Sequence, residues 1–399
     1  MTPSPQQDTA LQRVRRWLEA PRKPFFYLAG YAGTGKTTLA RHFAEGVGGQ
    51  VLYAAYTGKA ASVMRSKGCV GATTLHSLAY IPKMKCRERL RQLVDQLEAA
   101  AKAADHQLVD HLESQIAEEN KQLARPSFSL NQESALKSAS LLIVDECSMA
   151  GDRIGEDLVS FGVPILALGD PAQLPPVQGE GYFTQGDPDF LLTEIHRQAL
   201  DNPIIRLSMA VREGRGAIEN DLPYGDYGDS RVVREVDGTA AMAHDQMIVG
   251  RNDTRRQYNE KMRRLLGRRS LVEVGDRVVC LRNNHDLGLM NGAVFTVVEV
   301  REDEEGPVLL IDDGESRAEV PIHVDTMRRG SVPDGASFFD RQGREEFCHA
   351  YALTCHKSQG SQWPAVMVLD ESAVFQQNQR RWLYTATTRA AERVTIIRR

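Results

Sequence analysis

Apolar residues in this chain gather in short continuous runs separated by stretches of helical spacing. The runs Phe25-Phe26-Tyr27-Leu28-Ala29, Val51-Leu52-Tyr53-Ala54-Ala55, Leu141-Leu142-Ile143-Val144 and Val163-Pro164-Ile165-Leu166-Ala167-Leu168 have no polar side. A strand of that kind must be covered on both faces, which predicts a parallel sheet between layers of helix. The spacing of Val14, Trp17 and Leu18 predicts a helix over Gln12–Ala20, interrupted by Pro21 and Pro24, and a second helix begins at Lys36. A later set of runs, Met247-Ile248-Val249, Ala350-Tyr351-Ala352-Leu353-Thr354, Val366-Met367-Val368-Leu369 and Val394-Thr395-Ile396-Ile397, predicts a second α/β unit.

Two segments break this rhythm. From about Leu271 to Ala350 the runs shorten and alternate, as in Arg277-Val278-Val279-Cys280-Leu281 and Ala293-Val294-Phe295-Thr296-Val297-Val298, with Gly, Asn and Asp between them. That texture predicts a small antiparallel β-barrel inserted in the second unit. Over Lys83–Arg125, Leu90, Leu93, Leu97, Ala100 and Ala104 recur at a 3-4-3-4 spacing among eight basic and eight acidic residues. This predicts a helical insertion, either packed on its own apolar seam or serving as a strand-separating or protein-binding element. The expected division is a first unit over residues 1–182 with the helical insertion at about 83–125, a second over 183–270 and 350–399, and the inserted barrel over 271–349.

Composition narrows the class. The 399 residues are 42% hydrophobic and 26% charged, as expected of a globular protein rather than a disordered or membrane one. Met1–Gln7 show no basic region followed by an apolar run, so a secretory leader is not expected and a cytoplasmic location is. The six cysteines lack any C-x-x-C pair, and neither a disulfide framework nor a zinc site is expected. A net charge of −4 excludes a protein that coats nucleic acid by bulk charge; any such contact must come from a local groove.

The chemistry begins at Gly30-Tyr31-Ala32-Gly33-Thr34-Gly35-Lys36-Thr37, followed by Thr38, between a predicted strand and a predicted helix. It fulfils G-x-x-x-x-G-K-[ST]: Gly30, Gly33 and Gly35 let backbone N–H groups wrap a phosphate chain, Lys36 reaches its β- and γ-phosphates, and Thr37 holds Mg²⁺. The run Leu141–Val144 ends in Asp145 and Glu146. Asp145 suits Mg²⁺, directly or through water, and Glu146 suits the base that orients and deprotonates an attacking water. In Leu168-Gly169-Asp170-Pro171-Ala172-Gln173-Leu174-Pro175-Pro176, Gln173 suits a polar sensor of the γ-phosphate, the alternative being an ordinary Pro-rich turn.

This ordered set resembles superfamily 1 helicases, and within them the RecD-like and Dda-like group that moves 5′ to 3′ on single-stranded DNA. The resemblance extends to Tyr56-Thr57-Gly58-Lys59-Ala60-Ala61, Thr73-Thr74-Leu75-His76-Ser77, Leu192-Thr193-Glu194-Ile195-His196-Arg197, Thr354-Cys355-His356-Lys357-Ser358-Gln359-Gly360-Ser361 and Tyr384-Thr385-Ala386-Thr387-Thr388-Arg389-Ala390. It implies two RecA-like motor domains with an ATP and Mg²⁺ site in the cleft between them, and a Src-homology-like character for the inserted barrel. Arg197 and Arg389 would be arginine fingers, Gln359 and Gly360 would complete the nucleotide site, and Gln7, with Gln6 beside it, would read adenine. Thr57, Lys59, Thr74 and His76 from the first motor domain, with Thr354, His356 and Lys357 from the second, would line a groove for the strand. The implied partners are single-stranded DNA and forked or tailed duplex, with no membrane and a monomeric chain. The group commonly carries a β-hairpin wedge where this chain has its helical insertion. An RNA helicase of the same superfamily, or an ATP-switched interaction module that does not translocate, would share these motifs; no clustered acidic motif supports a nuclease fusion.

Overall fold

The computed structural model describes residues 3–82, 88–102, 108–109, 111–116, 128–176, 179–195, 202–214, 225–284, 287–314, 316–331 and 343–398. The first strands are β1 (Phe25–Gly30), β2 (Val51–Ala55), β3 (Thr73–Thr74), β4 (Tyr80–Pro82), β5 (Phe128–Leu130), β6 (Leu141–Asp145), β7 (Ile165–Gly169) and β8 (Phe190–Leu192). Six of them form a sheet in the order β3-β2-β6-β7-β1-β8, parallel at every pairing. β6 and β7 are buried at every position, as their unbroken apolar sequences require. Alternate side chains serve opposite layers. Leu28, Ile143, Leu166 and Leu168 pack with Val14, Leu39 and Phe43 on one face, while Tyr27, Leu142 and Val144 pack with Leu75 and Phe183 on the other.

The first helix spans Pro5–Glu19, seven residues earlier than its apolar spacing predicts. Ser4 is the reason: its Oγ accepts from the Gln7 N–H at 3.3 Å while Gln7 Oε1 accepts from the Ser4 N–H at 3.0 Å, a reciprocal cap that satisfies two donors at the helix start. The insertion contains the helix Glu88–Lys102, whose Leu93, Leu97 and Ala100 pack with Leu112 and Ile116. Ala104 and the Leu90 side chain lie outside the described residues. At the base of the insertion β4 and β5 pair antiparallel, Tyr80 opposite Leu130, so a short β-ribbon carries the helical segment. Hydrophobic spacing did not predict that ribbon.

The remaining strands are β9 (Gly225–Tyr227), β10 (Ser230–Val233), β11 (Gln246–Val249), β12 (Arg277–Cys280), β13 (Val294–Asp303), β14 (Gly306–Asp312), β15 (Arg317–Pro321), β16 (Phe347–His349), β17 (Ala352–Thr354), β18 (Trp363–Leu369) and β19 (Ala390–Ile397). A second six-stranded sheet runs β17-β11-β18-β19-β10-β9, parallel except where β9 meets β10. A separate antiparallel sheet, β15-β14-β13-β12-β16, has its own core around Val278, Phe295, Leu309, Ile311 and Phe347. The run expected as one strand from Ala350 to Thr354 begins only at Ala352, because Ala350 and Tyr351 form the link between β16 and β17. Among the described residues no helix is long and apolar enough to cross a membrane.

The antiparallel sheet is fastened to the second parallel sheet through Asp276. This carboxylate is fully buried and accepts from Arg268 Nη1 at 2.8 Å, Arg263 Nη2 at 3.0 Å, the Tyr351 hydroxyl at 2.8 Å and the Glu273 N–H at 2.8 Å. Burial alone would raise its pKa, but the bonds from Arg263, Tyr351, Glu273 and Arg268 together hold it below the ordinary aspartate value. Asp276→Ala would strand two guanidinium groups in a poorly solvated place, and a loss of about 3–5 kcal/mol is expected in urea unfolding. Because the folded carboxyl is the more acidic, its contribution is present above the unfolded pKa and disappears as pH falls through the folded one. The gap between wild type and Asp276→Asn should therefore narrow in acid; equal urea midpoints at neutral pH would remove Asp276 from the joint.

Candidate active site

Sheet order alone assembles most of the candidate site. β6, β7 and β1 are neighbours, so their carboxyl ends deliver Asp145-Glu146, Asp170–Gln173 and the Gly30–Thr37 loop to one edge, the place where open α/β sheets bind ligands. The loop turns at Gly33 and Gly35, whose φ of 82° and 81° lie in the left-handed region that a side chain would strain. Gly35 precedes the helix Lys36–Ala44 without a side-chain cap, leaving the first N–H groups directed at the loop's concavity. Gln7 holds the loop from behind, its Nε2 donating to the Thr34 carbonyl at 3.0 Å. Gln6 is occupied nearby: its Oε1 accepts from the Thr193 and Glu194 N–H groups at 2.8 and 2.7 Å. The Lys36 ammonium folds back onto the carbonyls of Gly30 and Tyr31, and Thr38 is half-buried behind it.

Thr37 Oγ1 donates to Asp145 Oδ2 at 2.7 Å, which pairs the two hard oxygen donors expected at Mg²⁺. Glu146 comes next in a left-handed backbone conformation, φ 52° and ψ 41°. Such strain costs a non-glycine residue about 1–2 kcal/mol and turns the side chain away from the strand direction. Burial raises the Glu146 carboxyl; Arg389 and Lys36 oppose that rise, and Asp145 and Asp170 add to it. Gln173 is buried, with Oε1 lacking a partner among the described residues.

The facing wall comes from the second sheet. Arg389 is buried and oriented by its own unit: Nε donates to the Thr385 carbonyl at 3.0 Å and Nη1 to the Ser361 carbonyl at 3.3 Å. Gln359 Nε2 donates to the Leu174 carbonyl at 2.9 Å, and the Leu174 N–H donates to Thr385 Oγ1 at 2.8 Å. Leu174 itself lies in the core of the second unit, so the segment after β7 joins the two sheets. Two further residues close this wall, and no motif rule had assigned them a role. The Tyr384 hydroxyl accepts from the Ala32 N–H at 2.8 Å and donates to Asp170 Oδ2 at 2.7 Å. The Arg212 guanidinium lies 3.8 Å from the Tyr31 ring centroid. Arg197, with His196, lies outside the described residues.

The residues expected along a strand groove divide into exposed and structural ones. Lys59 is exposed on the helix Gly58–Ser66, whose cap is Thr57: its Oγ1 accepts from the Ala60 N–H at 3.2 Å. Thr74 is buried and caps the next helix through the Ser77 N–H at 3.1 Å. His76 sits between the Tyr56 and Tyr80 rings, at 5.8 and 5.7 Å. On the other side Thr354 is buried, and the His356 ring lies 5.9 Å from that of Phe375. Burial lowers the pKa of both His356 and Lys357.

The two sets meet where Gly360 (φ 75°) faces Thr57: a Cβ there would fall 2.2 Å from Thr57 Oγ1. Gly360→Ala meets both backbone strain and a collision, and a loss of more than about 1 kcal/mol is expected in thermal or urea unfolding. An unchanged midpoint would mean that the two loops do not meet in solution.

Residues 4–237 match the family described as AAA domain, and residues 349–397 match the UvrD-like helicase C-terminal domain. The ATP-dependent RecD2 DNA helicase of Deinococcus radiodurans is 30% identical over 280 residues, covering 63% of this chain and 35% of that protein, so the match spans about a third of that relative. Among solved structures, the Bacteroides Pif1 helicase in complex with ADP-AlF3 and ssDNA superposes with a TM-score of 0.52 at 18% identity, covering 99% of this chain and 92% of that one. The Candida albicans Pif1 helicase gives 0.51 at 18%, covering 100% and 95%. At such identities the structural likeness is one of fold. With an AAA domain over more than half its length and a UvrD-like helicase C-terminal domain behind it, the chain belongs to superfamily 1 of the helicases.

Proposed function

We propose that the chain is an ATP-driven DNA helicase or translocase that hydrolyses ATP between two RecA-like motor domains and moves 5′ to 3′ on single-stranded DNA. The observation that carries this reading is Glu146: strained and raised by burial, it stands next to the Thr37–Asp145 pair from one sheet and within the field of Arg389 from the other. A group so placed can accept a proton from water only when charges on both sides are in position, which makes hydrolysis depend on how the two domains sit.

The geometry supports the following roles. The Gly30–Thr37 loop and the first N–H groups of its helix, Thr38 included, take the β-phosphate, and Lys36 leaves its two carbonyls for the β- and γ-phosphates. Thr37 and Asp145 would hold Mg²⁺, which supplies neutralisation of phosphate charge when bound. Glu146 takes the proton of the attacking water, Gln173 offers its buried amide oxygen to that water, and Arg389 meets charge on the terminal phosphate. Gln359 and Gly360 pass the closure to the strand groove, where Thr57, Lys59, His76, His356 and Lys357 would touch the sugar-phosphate chain. The antiparallel sheet is read as a Src-homology-like barrel flanking that groove. The ribbon-borne helical insertion is read as the element that meets the duplex or a protein partner.

The test is ATP hydrolysis with and without single-stranded DNA, then unwinding of forks that carry only a 5′ or only a 3′ tail. Strand-stimulated turnover and a requirement for the 5′ tail are expected. A 3′ preference would overturn the polarity, stimulation by RNA alone would transfer the reading to RNA, and turnover indifferent to any strand would favour an ATP-switched interaction module.

A further inference from the structure

The nucleotide loop is gripped by the second motor domain at a point that the motifs leave unassigned. Tyr31 C=O and Ala32 N–H are two edges of one peptide unit. Lys36 Nζ donates to the carbonyl edge at 3.1 Å, and the N–H edge donates to the Tyr384 hydroxyl at 2.8 Å. That hydroxyl spends its own proton on Asp170 Oδ2 at 2.7 Å, while Asp170 Oδ1 accepts from the Ala172 N–H at 3.0 Å. Tyr384 and Asp170 are both 1% exposed, so the bridge is formed away from bulk water, where leaving either partner unpaired is costly.

Tyr384 lies on the helix Gln379–Thr387, and Arg389 follows just past its cap at Thr388, its N–H donating back to the Ala386 carbonyl at 3.3 Å. Arg389 Nε rests on the carbonyl of Thr385, the neighbour of Tyr384, and Thr385 Oγ1 accepts from Leu174 N–H. One rigid turn therefore connects the peptide under Lys36, the loop bearing Gln173 and the guanidinium that opposes the burial of Glu146. Arg212, stacked over the Tyr31 ring, holds the adjoining side chain from the same domain.

We propose that Tyr384 is a positioning residue for ATP hydrolysis, whose hydroxyl sets the distance between the phosphate loop and the helix turn that carries Arg389. This rests on the reading of the cleft as an ATP-hydrolysing site. Tyr384 touches no reacting atom; it fixes where Arg389 arrives, and errors of about 1 Å in such placement can cost about 10²-fold in rate.

The experiment compares full-length wild type, Tyr384→Phe, Asp170→Asn and the double variant, measuring kcat and KM for ATP at saturating oligodeoxythymidine. Phe keeps the buried shape and removes only the hydroxyl. A fall in kcat of about 10–100-fold is expected for Tyr384→Phe, with KM within roughly threefold of wild type, because the interaction belongs to the transition state rather than to nucleotide binding. Asp170→Asn should lower kcat in the same direction, and the double variant should be no worse than Tyr384→Phe, since both act through one hydrogen bond. Wild-type kcat in Tyr384→Phe, a loss confined to KM, or strictly multiplicative losses in the double variant would each overturn the assignment. If Tyr384→Phe does not fold, wild-type kcat in Asp170→Asn overturns it. A wild-type chain that hydrolyses no ATP would instead bring down the reading of the whole cleft, and this role with it.

Discussion

Glu146→Gln is expected to lower ATP turnover by about 10²–10⁴-fold, the range spanned by loss of a positioned general base. ATP binding should change little, because the amide keeps the shape and the proposed phosphate contacts come from the Gly30–Thr37 loop and Lys36. The backbone of Glu146 matters as much as its carboxylate. Glu146 holds φ at 52°, a conformation that costs energy and persists only where the surroundings impose it, and its N–H donates to Asp145 Oδ1 at 2.9 Å. The strain therefore turns the side chain out of the strand line and into the cleft, one residue beyond the carboxylate bonded to Thr37. Single-turnover hydrolysis and binding of a fluorescent ATP analogue, measured on the same preparation, separate the two effects. Retained turnover would place the base elsewhere, and lost binding would make Glu146 a structural residue.

Arg389→Met should be at least as damaging, by about 10³–10⁵-fold if it acts as an arginine finger, and it carries a second signature. Burial pushes the Glu146 carboxyl up, and Arg389 is the largest influence holding it down. The proposed base works only when ionised, so the acid limb of the turnover profile should mark protonation of Glu146. Removing the guanidinium lets that carboxyl protonate at higher pH, and the acid limb of the residual activity should move to higher pH. Arg389→Lys keeps the positive charge and loses the planar fork, so it should leave the limb near its wild-type place while turnover stays low. A limb that does not move in Arg389→Met would show that the two groups do not face each other during turnover.

How much of this was legible in the sequence depended on how local each feature is. The loop at Gly30–Thr37 could be read at once, because consecutive residues alone decide its shape, and the buried runs at Leu141–Asp145 and Ile165–Gly169 announced central strands by having no polar face. The β4–β5 ribbon could not be read: its strands are three residues each, one contains Pro82, and residues 83–127 separate them. Thr74 illustrates another limit. A threonine beside a candidate groove residue has the same spelling whether it contacts a strand or caps a helix, and here its hydroxyl is committed to the Ser77 N–H. The Tyr384 bridge joins residues 352 apart in sequence; no periodicity connects them, and only packing of the two sheets brings them together.

The link between β16 and β17 has a mechanical consequence. Only Ala350 and Tyr351 separate the last strand of the antiparallel sheet from β17, the strand that runs into Thr354 and His356. Both are anchored: the Ala350 N–H donates to the Arg277 carbonyl at 2.8 Å, its carbonyl accepts from Gln246 Nε2 at 3.1 Å, and the Tyr351 carbonyl accepts from the Met247 N–H at 3.1 Å. A coupling that short and that firmly bonded has no slack. A tilt of the antiparallel sheet is therefore expected to turn the Thr354–Lys357 segment with it, as a crank turns its shaft.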